Sequence, residues 1–256
     1  MKEKLTVVKV GGKIVEEPSA LARLLTDFSA LPGLKVLVHG GGRTATDMAA
    51  RLGIATQMVG GRRVTDAETL RVVTMVYAGL VNKNVVAGLQ AHGVNALGLT
   101  GADMDVIRSH RRVSGEVDYG FVGDVDRVDA DMLAMLLGAG VVPVMAPLTH
   151  DGCGSLLNTN ADTIAGETAK ALAMRFDVTL VYCFEHAGVL SDPADEASVI
   201  PRITRENFAR LAADGTVSGG MLPKIENSLQ AVEAGVGRVI ITRADALGQS
   251  AGTQIG

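Results

Sequence analysis

Two short aliphatic runs near the start of the chain each end in a glycine turn, and this repetition leaves few folds open. Leu5 to Val10 (LTVVKV) stops at Gly11-Gly12, and Lys35 to Val38 (KVLV) stops at His39-Gly40-Gly41-Gly42. Such β-branched runs, apolar at successive positions, read as strands buried on both faces. Helical spacing follows each turn: Leu21, Leu24, Leu25 and Phe28 after Pro18, then a segment reaching Arg51. Strand, turn and helix performed twice predict a parallel sheet with crossover helices. Aromatic residues are only 3% of the 256 and tryptophan is absent, so Val, Leu, Ile and Ala must build the core.

Later segments extend the pattern. Gln57 to Thr65 reads as a short hairpin around Gly60-Gly61, and Thr65 and Glu68, at capping-box spacing, launch a long helix to Ala91. Strands are expected over 94–99, 141–145, 178–183 and, last, 239–242, with helices over 129–137, 161–174, 204–213 and 222–234. Residues 103–128 alternate and carry glycines, which suits short antiparallel strands. The fold expected is α/β, a three-layer αβα sandwich around a mainly parallel open sheet. Its two lobes, 1–175 and 176–256, meet near Arg175.

Charge and composition narrow the function. A net charge of −4 argues against nucleic-acid or membrane-surface binding, which call for a basic excess. No apolar run reaches the length of a membrane span and no signal-peptide core opens the chain, so a soluble cytoplasmic protein is expected. Cys153 and Cys183 lack zinc or redox spacing and the five histidines are scattered, so no protein-held metal is expected. Neither G-x-x-x-x-G-K-[ST] nor a G-x-G-x-x-G after the first strand occurs, which removes the P-loop and the usual dinucleotide fingerprint.

What remains is the pair of glycine turns at the carboxyl ends of strands, where open α/β sheets bind ligands and helix N-termini receive anions. Lys9, inside a buried strand, either delivers its ammonium to the ligand edge or snorkels beside a structural turn. Gly40-Gly41-Gly42 either presents bare N–H groups to an oxyanion or serves close packing. The residues alone leave both alternatives open.

Six segments in order resemble the amino acid kinase family, and within it the N-acetylglutamate kinases. They are KVGG at 9–12, HGGGR at 39–43, GRRVTD at 61–66, NTNAD at 158–162, GVLSD at 188–192 and GGMLPK at 219–224. The resemblance implies ATP-dependent phosphoryl transfer to the side-chain carboxylate of an N-acylglutamate in arginine biosynthesis, with Mg²⁺ entering alongside ATP. A carboxylate is already a nucleophile, so positioning and charge neutralisation carry the reaction. By the same resemblance Lys9 touches the transferring phosphoryl group, Lys224 the leaving-phosphate side, and Asp162 holds both ammonium groups. Gly11, Gly12, Gly41 and Gly42 line the oxyanion path, the last two also near the glutamate. Arg63 grips a substrate carboxylate, and Asn158 bonds the α-carboxylate or amide region. Without the resemblance, Asp162 reads as a helix-start carboxylate, Asn158 as a turn residue and Lys224 as a surface lysine, although a lysine opposes the dipole of a first helical turn.

This chain also departs from the family pattern. Arg62 replaces the leucine usual before the arginine. An acetyl methyl does not call for a guanidinium, whereas a longer acyl chain ending in a carboxylate does, so N-succinylglutamate is the alternative substrate. The other reading has Arg62 in solvent. Glu185 stands where an aspartate is expected in the nucleotide lobe, three residues before Gly188, and both are ATP-binding candidates. Residues 101–105 (GADMD) lack the family's glycines and suggest a differently shaped flap. Arg108, His110, Arg111 and Arg112 serve substrate entry or, more plainly, a solvated loop. With the first strand near Leu5, the N-terminal helix of arginine-inhibited relatives has no room. A homodimer indifferent to arginine is expected, with helix 66–91 as an interface element. The rival class is a catalytically silent amino-acid or nucleotide sensor of the same fold.

Overall fold

The computed structural model describes residues 2–113, 115, 117–249 and 251–256. β1 (Lys4–Val10) passes through the first glycine turn into α1 (Gly12–Glu16), and α2 (Pro18–Ala30) follows. Glu17 caps α2 by accepting from the Ser19 and Ala20 N–H groups, and Pro18 takes the first helical position, where no N–H is needed. β2 (Leu34–His39) leads through the second turn into α3 (Gly42–Arg51). β3 (Met58–Val59) and β4 (Arg62–Arg63) form the expected antiparallel hairpin.

α4 (Ala67–Val73), a π-helical stretch Thr74–Val81 and α5 (Asn82–Ala91) make one rod. Its start corrects the sequence reading, because the N-cap is Asp66, whose carboxylate accepts from the Thr69 N–H, and not Thr65. Thr65 is buried, and its backbone is bonded to Tyr119 and Phe121, so helix geometry begins only beyond it. A second correction concerns hydropathy. Ala67–Ala91 runs 25 residues and contains an 18-residue window of mean hydropathy 1.4, long and apolar enough to cross a membrane. Val72, Val73, Val76, Val85 and Leu89 of this rod pack in a core cluster against the sheet.

The remaining elements are β5 (Ala96–Leu99), β6 (Ile107–Arg111), β7 (Gly123–Val128), α6 (Ala130–Gly138), β8 (Val142–Met145), β9 (Leu148–His150), β10 (Leu156–Asn158), α7 (Ala161–Ala173), β11 (Asp177–Phe184), β12 (Arg202–Ile203), α8 (Arg205–Ala213), α9 (Met221–Glu233), β13 (Arg238–Arg243) and β14 (Thr253–Ile255). Eight strands form one sheet in the order β12-β14-β13-β11-β1-β2-β8-β5, parallel except between β13 and β14. β14 corrects the expectation that 239–242 is the last strand; its three residues are too few to show an alternation. Within 103–128, β6 and β7 are antiparallel as expected, and β9 and β10 join them in a second sheet, β10-β9-β6-β7. Ser114 and Glu116 of that stretch lie outside the described residues.

Alternation along the central strands builds the three layers. Leu5, Val7, Val36 and Val38 face a cluster containing Ile164 and Leu172 of α7 and Ile225 and Leu229 of α9. Val8, Val10 and Leu37 face the opposite cluster with Leu24, Phe28, Ala45 and the rod. This parity aims Lys9 at the α7–α9 layer and His39 at the rod. Buried Lys35 shows the purely structural use of such a cation: its Nζ donates to the Phe28, Ser29 and Leu31 carbonyls where α2 ends.

Candidate active site

Two clefts flank a point where the glycine turns touch. A Cβ at Gly40 would lie 2.9 Å from the Gly12 nitrogen, and Gly41 has φ +153° with the Tyr77 ring 3.1 Å from the place of its Cβ. Only glycine permits this approach, which brings the first N–H groups of α1 and α3 together.

The first cleft, about 360 Å³, is lined by Lys9, Gly11, Gly12, Lys13, Glu185 and Lys224, among others. Lys9 is 7% exposed, and its Nζ lies 2.6 Å from Asp162 Oδ1, while Lys224 Nζ stands 4.0 Å from Oδ2 of the same carboxylate. Asn160 caps α7 by accepting from the Asp162 and Thr163 N–H groups, which sets Asp162 in the first turn, where the dipole favours an anion. Lys224 occupies the first turn of α9; burial lowers its pKa, and Asp162 opposes that shift. The Phe184 ring lies 3.8 Å from Lys224 Nζ and 4.9 Å from Lys9 Nζ, a platform under both cations. Glu185 pairs with Lys13 at the rim. Gly188 falls outside this cleft, where a Cβ would meet Thr253 and Val199 at 2.8 Å, so its bareness serves packing against β14.

The second cleft, about 210 Å³, takes in Gly41, Gly42, Arg62, Arg63, Tyr77 and Asn158. Arg63 is buried, its Nη2 donating to the Gly42 carbonyl at 2.8 Å and Thr46 Oγ1 at 2.9 Å, its Nη1 to Thr56 Oγ1 at 3.1 Å. Among the described residues no carboxylate pairs with it, so three neutral oxygens fix the fork and its charge faces the cleft unbalanced. Asn158 Nδ2 donates to Thr65 Oγ1 at 3.0 Å. Arg62 is half-buried between this cleft and a neighbouring one, its pKa lowered by burial and by Arg112, which itself pairs with Asp124 at 2.6 Å.

His39 is fully buried behind the second turn, where burial pushes its pKa down to about 4. The neutral ring then donates from Nδ1 to the Gly40 carbonyl at 2.7 Å and accepts at Nε2 from Asn82, 3.1 Å away, whose Nδ2 also donates to the Val144 carbonyl. Arg108, His110 and Arg112 are paired with Asp105, Asp126 and Asp124, and Arg111 lies 4.0 Å over Phe121. These are the contacts of a solvated antiparallel pair, and residues 101–105 line neither cleft.

The geometry therefore gathers Lys9, Asp162 and Lys224 at one cleft and Arg62, Arg63 and Asn158 at the other. Sequence reading missed Lys13, Phe184, Tyr77 and the His39 contacts. Lys13 had a visible signal, two residues beyond Gly11; Tyr77 had none, being one apolar position in a long helix. No group of three His, Cys, Asp or Glu among the described residues is arranged to hold a metal.

Residues 4–243 match the amino acid kinase family. The chain is 69% identical over its whole length to the acetylglutamate kinase of Bacteroides thetaiotaomicron, covering 99% of that protein. It is 46% identical to the acetylglutamate kinase of Methanopyrus kandleri, over 97% of this chain and 99% of that one. Among solved structures, the N-acetylglutamate synthase of Neisseria gonorrhoeae, complexed with coenzyme A and N-acetylglutamate, superposes with a TM-score of 0.83 at 24% identity, over 98% of this chain and 59% of that one. Carbamate kinase from Giardia lamblia bound to AMP-PNP gives 0.69 at 13%, over 98% of each. With the family match over residues 4–243 and relatives 46–69% identical over nearly the whole chain, the chain belongs to the amino acid kinase family.

Proposed function

We propose that this chain transfers a phosphoryl group from ATP to the side-chain carboxylate of N-acetyl-L-glutamate, as an acetylglutamate kinase of arginine biosynthesis. The observation that carries the reading is the pair of clefts on either side of the Gly12–Gly40 contact, one holding two lysines on one aspartate, the other a buried arginine with no carboxylate partner among the described residues. ATP phosphates enter the lysine cleft, and acylglutamate binds the arginine cleft with its side-chain carboxylate against Gly41 and Gly42. Lys9 neutralises charge on the transferring group, Lys224 the leaving phosphate, and Asp162 keeps the two ammonium groups from parting. The attacking carboxylate needs no general base.

Glu185 and Asp162 at the phosphate cleft are already paired with lysines, so Mg²⁺ would be held by phosphate oxygens and water and would add charge neutralisation there. The lobes divide the work, 1–175 taking the acylglutamate and 176–256 most of the nucleotide. A cytoplasmic homodimer completes the reading, with the exposed Met75 and Leu80 of the rod as contact residues, and gel filtration tests it. The sensor alternative has no observation in its favour.

A second reading concerns the acyl group. Arg112 pairs with Asp124 at the edge of the substrate cleft, with Arg62 beside them, and two guanidiniums there favour a terminal carboxylate on the acyl chain. The relatives' names carry the acetyl group. Hydroxylamine trapping of the acyl phosphate, with N-acetyl- and N-succinyl-glutamate side by side, tests both. Turnover of neither removes the kinase reading, and an acetyl preference unchanged by Arg62→Leu removes the second.

A further inference from the structure

The rod beneath the substrate cleft is not α-helical where it matters. Thr74–Val81 is π-helical for eight residues, and π-turns are usually single and cluster at functional sites. Tyr77 and Val81, four residues apart on one face of this stretch, both lie against Gly41: Tyr77 Cδ1 lies 3.1 Å and Val81 Cγ2 3.3 Å from the place of a Gly41 Cβ. The Tyr77 hydroxyl is thereby carried 4.0 Å from the place of a Gly42 Cβ, beside the Arg63 guanidinium, and the residue lines the substrate cleft while 5% exposed.

Three facts point to what this hydroxyl does. Both Nη2 hydrogens of Arg63 and one on Nη1 are taken by Gly42, Thr46 and Thr56, which leaves the Nε hydrogen and one Nη1 hydrogen for a ligand. The guanidinium has no carboxylate partner among the described residues, so an anion is the fitting occupant beside it. Burial raises the phenol pKa, so Tyr77 stays protonated and can donate. From this placement we infer that Tyr77 is a substrate-binding residue whose hydroxyl donates a hydrogen bond to the α-carboxylate that Arg63 binds. The inference rests on the acylglutamate reading and deepens it, because a phenol and a guanidinium that both donate suit a free α-carboxylate, whose two oxygens both accept, better than its amide, which has one accepting oxygen.

Tyr77→Phe removes the hydroxyl and keeps the packing against Gly41. Calorimetry with N-acetylglutamate is expected to show binding weakened about tenfold, while the KM for ATP and the ligand-free thermal midpoint stay as in wild type. The same loss is expected with N-acetylglutamine, which keeps the α-carboxylate, and no loss with N-acetylisoglutamine, whose α-carboxylate is an amide. N-acetylglutamate binding within twofold of wild type overturns the inference, as does an equal loss on the α-amide or a parallel rise in the KM for ATP. If the wild-type chain binds no N-acylglutamate, the functional reading falls and takes this inference with it. Wild-type binding that Tyr77→Phe leaves unmoved overturns the inference alone.

Discussion

The turns after β1 and β2 share one local design yet serve opposite ends of the site. Each follows a buried parallel strand and opens a helix, and the two are paired in register, Lys9 beside Val38 and Val10 beside His39. Their polar residues differ by one position of alternation. Lys9 points to the α7–α9 layer, meets a carboxylate at 2.6 Å and lines a cleft. His39 points to the rod, meets an amide and a carbonyl, and stays neutral and dry. Burial is nearly the same for both, so the neighbours and not the depth decide whether a polar group faces a cleft beside a counter-ion or serves as scaffold.

The largest expected effect breaks the charged side. Lys9→Met should lower kcat by about 10³-fold, the scale of losing a donor aimed at developing charge, with an unfolding midpoint near wild type. An intact kcat in the hydroxamate assay would detach Lys9 from the chemistry.

Acid breaks the neutral side. The folded pKa of His39, about 4, lies below the ordinary 6.5, so its neutral form favours the native state. That contribution is complete above pH 6.5 and is lost as pH falls toward 4, about 3 kcal/mol over the window. Denaturant unfolding across this range should show a shallower decline in His39→Gln than in wild type, and identical slopes would refute the assignment.

Pushing the two turns apart tests their contact. Gly40→Ala places a Cβ 2.9 Å from the Gly12 nitrogen, and the backbone must shift at a cost of about 1–3 kcal/mol, with both KM values rising. The smallest effect belongs to the rim. Lys13 and Glu185 are about half-exposed, so Lys13→Met should leave the thermal midpoint unchanged and raise the KM for ATP roughly threefold, the scale of a screened ion pair.

The sandwich was legible because β-branched runs and glycine turns report strand and turn locally, and the αβα layers follow from apolar residues on both strand faces. Lys9, Asp162, Lys224, Arg63 and Asn158 were legible through motif order. Thr65 misled because its spacing to Glu68 mimics a capping box, while its backbone is engaged by a segment 54 residues later, Tyr119. Gly188 matched a motif, yet its bareness is explained by β14, a strand too short to read.

What the sequence determined by itself is the set of strands, the two turns that only glycine can make, and the charged groups that must gather near them. Tertiary structure decided which groups meet: that Asp162 accepts Lys9, that Arg63 is fixed by neutral oxygens with no counter-ion among the described residues, and that Tyr77 lines the cleft beside it. Local pattern fixes backbone geometry within a few residues. Pairing across Lys9 and Asp162, 153 positions apart, depends on the parity of a strand face against the cap of a distant helix, and no local signal records it.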